Sequence, residues 1–137
     1  MKFSRKAEYA LRAVLAMCRA APGTVFSIQS LATEEHIPLK FLEQILLVLR
    51  KGGLLHSRRG AGGGYQLARP VNRISLREIL ELVDGPLELM PQGGAMSSGM
   101  TSIFMELQGQ FREALGKYSL ADVLQRDQTR GMMSFEI

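Results

Sequence analysis

Arg58 and Arg59 stand immediately before Gly60-Ala61-Gly62-Gly63-Gly64. The chemistry available there is that of holding an anion, not of turning one over. Arginine presents a planar fork of donors that matches phosphate oxygens and fits narrow minor grooves. Glycine lets the backbone take positive φ and approach a surface closely. An ordinary flexible hairpin loop would carry the same glycines. A nucleotide-cradling loop does not fit, because no Gly-Lys-Ser/Thr and no helix N-terminus follow. Catalytic groupings are thin. No Ser/His/Asp or Cys/His set has workable spacing, so the chain is not expected to be an enzyme. His36 and His56 lack a cysteine or a His-x-x-x-His partner, which excludes a conventional zinc site. The single cysteine, Cys18, excludes an intrachain disulfide framework. It lies beside an apolar helical stripe and reads as a buried structural thiol, the alternative being a reactive thiol of lowered pKa.

The elements around the arginine loop suggest how it is presented. Residues 3–20 read as a first helix with Ser4 as N-cap and an apolar stripe of Tyr9, Ala13 and Met17, ended by Ala21-Pro22-Gly23. Ser27 begins a second helix with Ile28, Leu31 and Ala32 inward, and no reciprocal capping box with Ser30. Ile37 plugs the turn, and Pro38 opens a third helix over residues 39–51. Leu42, Ile45, Leu46 and Leu49 face its core side, while Lys40, Glu43 and Gln44 lie off that stripe, and Gly52-Gly53 stops it. Residues 54–57 and 65–68 read as two strands flanking the glycine loop. A fourth helix is expected over 74–83, capped by Ser75. A turn-rich stretch follows, with Gly85-Pro86, Pro91, Gly93-Gly94 and Ser97-Ser98-Gly99, and then a long helix over 101–117. That helix carries Ile103, Phe104, Leu107, Phe111 and Leu115 on one face, which suits either a dimer interface or an intrachain core. A short capped helix over 119–124 and a loose tail from 129 complete the chain.

Two short helices joined by a tight turn and followed by a basic hairpin make a mainly α, winged helix-turn-helix fold with a small two-stranded wing and a long C-terminal dimerisation helix. The expected organisation is a DNA-binding domain over 1–84, a sensor-type loop over 85–100, the dimerisation helix and short terminal helix over 101–128, and a tail over 129–137. Charge follows the same division. Residues 1–77 hold 13 Lys/Arg against 4 Asp/Glu, and residues 78–137 hold 4 against 9, so the front is basic and the rear acidic. Such a split suggests that one end meets a polyanion, although a solvated basic surface without a partner would show it too. No apolar run is long enough to span a bilayer and no signal peptide is evident, so a cytoplasmic location is expected.

Five segments follow one another in order: Met1-Lys2-Phe3-Ser4-Arg5-Lys6; Tyr9-Ala10-Leu11-Arg12-Ala13; Ile37-Pro38 with Leu42-Glu43-Gln44-Ile45-Leu46; Arg59-Gly60-x-Gly62-Gly63-Gly64-Tyr65; and Glu81-x-Val83-Asp84-Gly85-Pro86. Together they resemble the Rrf2 family of bacterial winged helix-turn-helix regulators, over residues 1 to about 125. That family includes an iron–sulfur cluster biogenesis regulator, nitric-oxide-sensing repressors and a cysteine-metabolism repressor. The resemblance implies a homodimer with the third helix in the major groove and the wing in the adjacent minor groove of a pseudo-palindromic operator on double-stranded DNA. It assigns Gln44 to adenine N6/N7, Lys40 to guanine O6/N7 or phosphate, and Glu43 to cytosine N4 or to repelling wrong sites. Arg59 falls in the minor groove, and Arg58 and Arg50 on phosphate. Tyr65 either braces the wing or touches DNA, and Ser4 and Tyr9 reach phosphate near the start of the first helix.

The resemblance also marks what is missing. Cluster-binding members carry three cysteines in the loop before the long helix, where this chain has Met90, Met96 and Met100. Iron–sulfur clusters need thiolates, so no cluster and no resident cofactor is expected. Soft thioethers offer a copper(I) reading, against the blander one of adaptable packing. Glu8 matches an extra acidic ligand used by some cluster-binding relatives, and otherwise reads as a surface acid beside Arg5 and Arg12. The cluster-free branch implies a small-molecule or protein effector instead. Two functions remain: a dimeric transcriptional regulator, most often a repressor, or an interaction module that docks a partner protein through the winged helix without reading DNA sequence.

Overall fold

The computed structural model describes residues 2–90 and 94–135, so the expected turns at Pro91 and Gly93 lie outside the described residues. The first helix, α1 (Arg5–Cys18), is the centre of the molecule. Its inward face is built of small residues, with Ala7, Ala10, Ala13, Val14 and Met17 all buried. Alanine at three-residue steps keeps that face thin, so neighbouring helices approach closely without leaving voids. Ser4 caps the helix by accepting from the Ala7 N–H at 3.0 Å. The Ser4 hydroxyl in turn donates to the carboxylate of Asp84, whose second oxygen accepts the Ser4 N–H at 2.9 Å. One carboxylate thus ties the start of α1 to the end of α4 (Leu76–Asp84).

Helices α2 (Ile28–Glu35) and α3 (Leu39–Lys51) pack on this face through Leu31, Leu42, Ile45, Leu46 and Leu49. Ser27 caps α2 by accepting from the Ser30 N–H at 3.1 Å, without a reciprocal partner. The turn between the helices depends on His36, which sits in the left-handed region at φ 55° and ψ 45°. Its neighbour Ile37 donates to the Ala32 carbonyl at 3.0 Å and is buried, so the turn is plugged from beneath. Arg12 of α1 also donates to the Glu35 carbonyl, satisfying an otherwise open acceptor at the end of α2.

The wing consists of β1 (Leu55–Arg58) and β2 (Gly64–Leu67), antiparallel, with Leu55 opposite Leu67 and Arg58 opposite Gly64. Its base is tied to the segment before α2. The Phe26 N–H donates to the Tyr65 carbonyl at 2.7 Å, and the Tyr65 N–H returns to the Phe26 carbonyl at 2.9 Å. Gly64 makes that pairing possible: a Cβ there would lie 2.0 Å from the Phe26 carbonyl oxygen. Both strands are offset by one residue from the sequence expectation, because the strand pairing extends to Arg58 and Gly64 at the tip.

Beyond the wing, a single 3₁₀ turn (Val71–Arg73) leads to α4. Its N-cap, Ser75, accepts from the Glu78 N–H at 3.1 Å while Glu78 accepts the Ser75 N–H at 3.2 Å, a complete capping box. The long helix α5 (Ser98–Lys117) starts earlier than expected, within the stretch assigned to the loop. Ser97-Ser98-Gly99 is its entry, with Ser97 accepting from the Met100 N–H at 3.2 Å. The last helix, α6 (Leu120–Phe135), corrects the expectation of a short helix over 119–124 and a loose tail from 129. It runs through the Thr129–Arg130 stretch, where the Thr129 hydroxyl donates to the Gln125 carbonyl at 3.0 Å. Leu120 roots it in the core, and Asp127 meets Arg19 of α1 at 3.6 Å. Among the described residues, no helix is long and apolar enough to cross a membrane.

Two substitutions test these junctions. His36→Gly removes the penalty of a Cβ in left-handed backbone and should raise unfolding stability by about 1 kcal/mol in urea denaturation. Gly64→Ala should lower it by about 1–3 kcal/mol, because the Phe26–Tyr65 pairing must shift to admit the methyl group.

Candidate nucleic-acid interface

The outward face of α3 is the first part of the site. Lys40, Glu43 and Gln44 are exposed on the side opposite Leu42, Ile45, Leu46 and Leu49, and Arg50 is exposed in the last turn at the flank of that stripe. Steps of three and four residues place Lys40, Glu43, Gln44 and Leu47 in one row along the helix. Three apolar side chains that the sequence pattern did not single out, Leu39, Phe41 and Leu47, are also exposed there. A signal was available, since these positions are apolar yet fall off the buried stripe. Apolar groups on such a face can meet thymine methyls.

The wing tip is the second part. Arg58 and Arg59 are exposed, as is Gly60, and the Gly63 N–H closes the turn onto the Gly60 carbonyl at 2.9 Å. Gly60 and Gly62 adopt positive φ, and a side chain at Gly63 would strike the Arg58 carbonyl. The glycines are therefore a conformational requirement of this loop as well as a means of close approach. Tyr65 is half-buried, paired with Phe26 and packed on the core, which is a bracing position.

The charges are arranged in two classes. The ion pairs among the described residues are Arg19–Asp127, Arg69–Glu78, Arg77–Glu81 and Arg112–Glu81. None uses a cation of α3 or the wing tip. Lys40, Arg50, Arg58 and Arg59 thus have no acidic partner among the described residues, which is the electrostatic condition for meeting an external polyanion. Glu81 stands on the structural side of this division. Burial alone would raise its carboxyl, but hydrogen bonds from Arg112 at 2.8 Å and Arg77 at 3.2 Å hold it below the ordinary carboxylate range.

Ser4 and Tyr9 are placed differently from the exposed cations. The Ser4 proton is committed to Asp84, which leaves no hydroxyl donor for a phosphate. Tyr9 is half-buried, with its ring 6.2 Å from that of Phe41 and the Arg12 guanidinium 5.7 Å from its centroid. It braces the start of α3 against α1. Arg12 is a second positioning residue invisible to local spacing, since its acceptor at Glu35 lies 23 residues away.

The long helix α5 buries no residue of its own against the described chain. Ile103, Phe111 and Leu107 are 58, 50 and 45% exposed, and Phe104 and Leu115 are half-buried. Polar contacts attach α5 beside these half-buried residues: Arg112 to Glu81, and the Gln108 side-chain oxygen accepting from the Leu89 N–H at 2.9 Å. At its far end, the Tyr118 carbonyl accepts from the Leu76 N–H at 3.0 Å, and the Leu120 N–H donates to Ile74 at 2.9 Å.

The stretch up to the first turn of α5 carries methionines where the family resemblance puts cluster cysteines. Met96 and Met100 are exposed, Met90 is half-buried, and Met100 sits in the first turn of the helix. Glu8 is exposed in the first turn of α1, where a carboxylate is favoured by the helix dipole. No group of three or more His, Cys, Asp or Glu among the described residues could hold a metal ion. The single thiol, Cys18, is buried at the end of α1, and burial pushes its pKa up to about 11. A neutral thiol and three thioethers do not match the thiolate set that an iron–sulfur cluster demands.

Comparison with known proteins agrees with this geometry. Residues 3–126 match the family model for Rrf2, described as an iron-dependent transcriptional regulator. A Mycobacterium tuberculosis protein that carries only a class name, HTH-type transcriptional regulator Rv1287, is 40% identical over 131 residues, covering 90% of this chain and 81% of its own. The solved structure of T. potens IscR is 31% identical with a TM-score of 0.76, covering 93% of this chain and 88% of that one. CymR, the global cysteine regulator of B. subtilis, is 25% identical with a TM-score of 0.79, over 92% and 98%. The iron of the family description finds no fitting donor set here, but the fold, the unpaired cations of α3 and wing, and the matched span all agree. The chain is a winged helix-turn-helix DNA-binding regulator and belongs to the Rrf2 family.

Proposed function

We propose that the chain acts as a homodimer that binds a pseudo-palindromic operator and represses transcription from it. The observation that carries the reading is the row of exposed, unpaired cations on α3 and the wing tip, beside Gln44 and Glu43. In this reading α3 lies in the major groove. Gln44 reads an adenine edge, Lys40 a guanine edge or a phosphate, and Glu43 accepts from cytosine N4 or penalises sites that lack it. Arg59 enters the adjacent minor groove, while Arg58 and Arg50 hold phosphates and set the register.

Dimerisation follows from the exposure of α5. Partly exposed ion pairs contribute only about 0–1 kcal/mol each, whereas an apolar side chain left in water forgoes ~1.5–3 kcal/mol. Ile103, Leu107 and Phe111 together therefore outweigh the polar contacts that attach the helix. A second α5 is the natural cover, since a two-fold interface pairs the same patch with itself and spaces two recognition helices for two half-sites.

A fluorescence anisotropy titration with a palindromic duplex tests the DNA reading. Affinity should fall about a thousandfold between roughly 50 and 200 mM salt if some six phosphates are contacted. Arg59→Ala should cost ~1–3 kcal/mol of operator affinity and relax preference at the minor-groove positions, while Arg58→Ala should weaken all sequences alike and reduce the salt slope by about one. Binding without sequence preference or salt slope would favour the partner-docking module instead. Ile103→Glu with Leu107→Glu should leave the folded monomer intact, because both side chains are exposed. It should abolish the dimer in sedimentation and with it the tight operator complex. An unchanged dimer would remove α5 as the interface.

A further inference from the structure

Helix α3 carries three exposed apolar side chains, Leu39, Phe41 and Leu47, and the chain itself accounts for two of them. The Phe41 ring meets that of Tyr9 at 6.2 Å, part of the brace between α3 and α1. Leu39 stands in the first turn at the flank of the buried stripe, three residues before Leu42. Leu47 is different. At 3.6 residues per turn it projects away from Leu42, Ile45, Leu46 and Leu49, between Glu43 and Gln44 and one turn beyond them. It is 38% exposed and takes no part in the hydrophobic core. A leucine therefore stands in the middle of the face that otherwise offers Lys40, Glu43 and Gln44.

Helix formation gives no reason for it, since lysine, glutamine and glutamate form helix about as well as leucine. A scattered exposed leucine is ordinary on a surface that meets only water. On a surface that enters the major groove it is not neutral. The groove floor is a pattern of hydrogen-bond donors and acceptors, and the isobutyl group of leucine can pair with none of them. Where it covers a polar base edge it displaces water and leaves that edge unpaired. The apolar feature of the floor is the thymine C5-methyl group, which aliphatic side chains complement.

We propose that Leu47 is a specificity-determining residue that reads one thymine C5-methyl group in each half-site. This role rests on the operator reading and adds a position and a chemistry to it. Leu47 rises about 4.5 Å beyond Gln44 along the helix axis, a little more than one base step of about 3.4 Å. The methyl group therefore lies within about two base pairs of the adenine assigned to Gln44. Two effects combine at that position. Contact removes the methyl group and the leucine from water, worth about fourfold in affinity per methyl. A base that presents a polar group there is penalised, because Leu47 has nothing to offer it.

Selection of the full chain on a pool of random duplexes yields the preferred sequence, and anisotropy titrations on substituted duplexes then test the contact. Replacing a thymine by deoxyuridine removes the C5-methyl group and keeps the base pairing. One thymine per half-site should prove sensitive, within about two base pairs of the position whose preference Gln44→Ala relaxes. Uracil there should weaken binding about fourfold in one half-site and at least about tenfold in both. Leu47→Ala, made at an exposed position, should leave the urea unfolding transition unchanged. It should bind the thymine and uracil duplexes within about twofold of each other, which a loss of general helix packing would not produce. Tolerance of uracil at every position, or undiminished sensitivity to the methyl group in Leu47→Ala, would overturn the role of Leu47 and leave the operator reading standing. If the selection yields no preferred sequence, the operator reading fails and the role of Leu47 falls with it.

Discussion

The two backbone hydrogen bonds between Phe26 and Tyr65 are the constraint on which the DNA-reading half of the molecule depends. A two-stranded hairpin is marginal by itself in water. Here its return strand is pinned to the residue that precedes the cap of α2, so the wing inherits its position from the helix-turn-helix. Gly64 is the condition for that contact, because the Phe26 carbonyl occupies the space where any side chain would begin. Helix α3 is located from the other side, by the Tyr9–Phe41 contact and by Arg12 on the end of α2. Recognition helix and wing are thus two elements with one foundation, the exposed cations riding on a frame whose own polar groups are already satisfied.

The rear half follows another principle. Helix α5 is attached by Arg112, Gln108 and the Tyr118–Leu120 turn, with Phe104 and Leu115 only half-buried and no residue of the helix fully buried. A helix so held can present a broad apolar stripe and still be fixed in direction. Both properties suit a spacer in the proposed dimer, in which the stripe would associate while the direction of the helix set the distance between half-sites. The acidic groups gather on this side, where they hold arginines of the scaffold instead of competing with a polyanion for the cations of the front.

What was legible in the residues is what depends on near neighbours. Period and breakers located α3 at Leu39–Lys51 with Gly52 as its cap, and the glycine loop marked the hairpin to within one residue. The exposed positions Lys40, Glu43 and Gln44 followed from the same spacing and Arg58 and Arg59 from their place before the glycines, whereas Arg50 came only from the family resemblance. What was hidden depends on distance along the chain. The Ser4–Asp84 contact spans 80 residues, and Arg12 meets Glu35 across 23, with no local period to announce either. The length of α6 was hidden for another reason. Residues 125–131 are largely polar and carry no apolar rhythm, so a helix extending from a buried root at Leu120 looks like a tail. Ser97-Ser98-Gly99 misled in the opposite direction, since serines that signal a turn are also the preferred caps of a helix.

The same distinction between local and distant bears on how such a regulator is controlled. A cluster in the loop before α5 would act on the spacer, and the donor set for one is not present in this chain. A cavity at the root of the wing lies instead against the frame of the reader. Its walls are the end of α1, Phe26 and the last residues of the wing, which are the parts whose mutual position decides where Arg59 points. In the proposed dimer on its operator, a small shift there would be carried along the hairpin to its tip, whereas the same shift on α5 would move whole half-sites together. In that proposed complex, control of the wing would change how well one half-site is held, and control of the spacer would change whether two are held at once. With thiolates absent from the loop before α5, this chain does not supply the second through an iron–sulfur cluster.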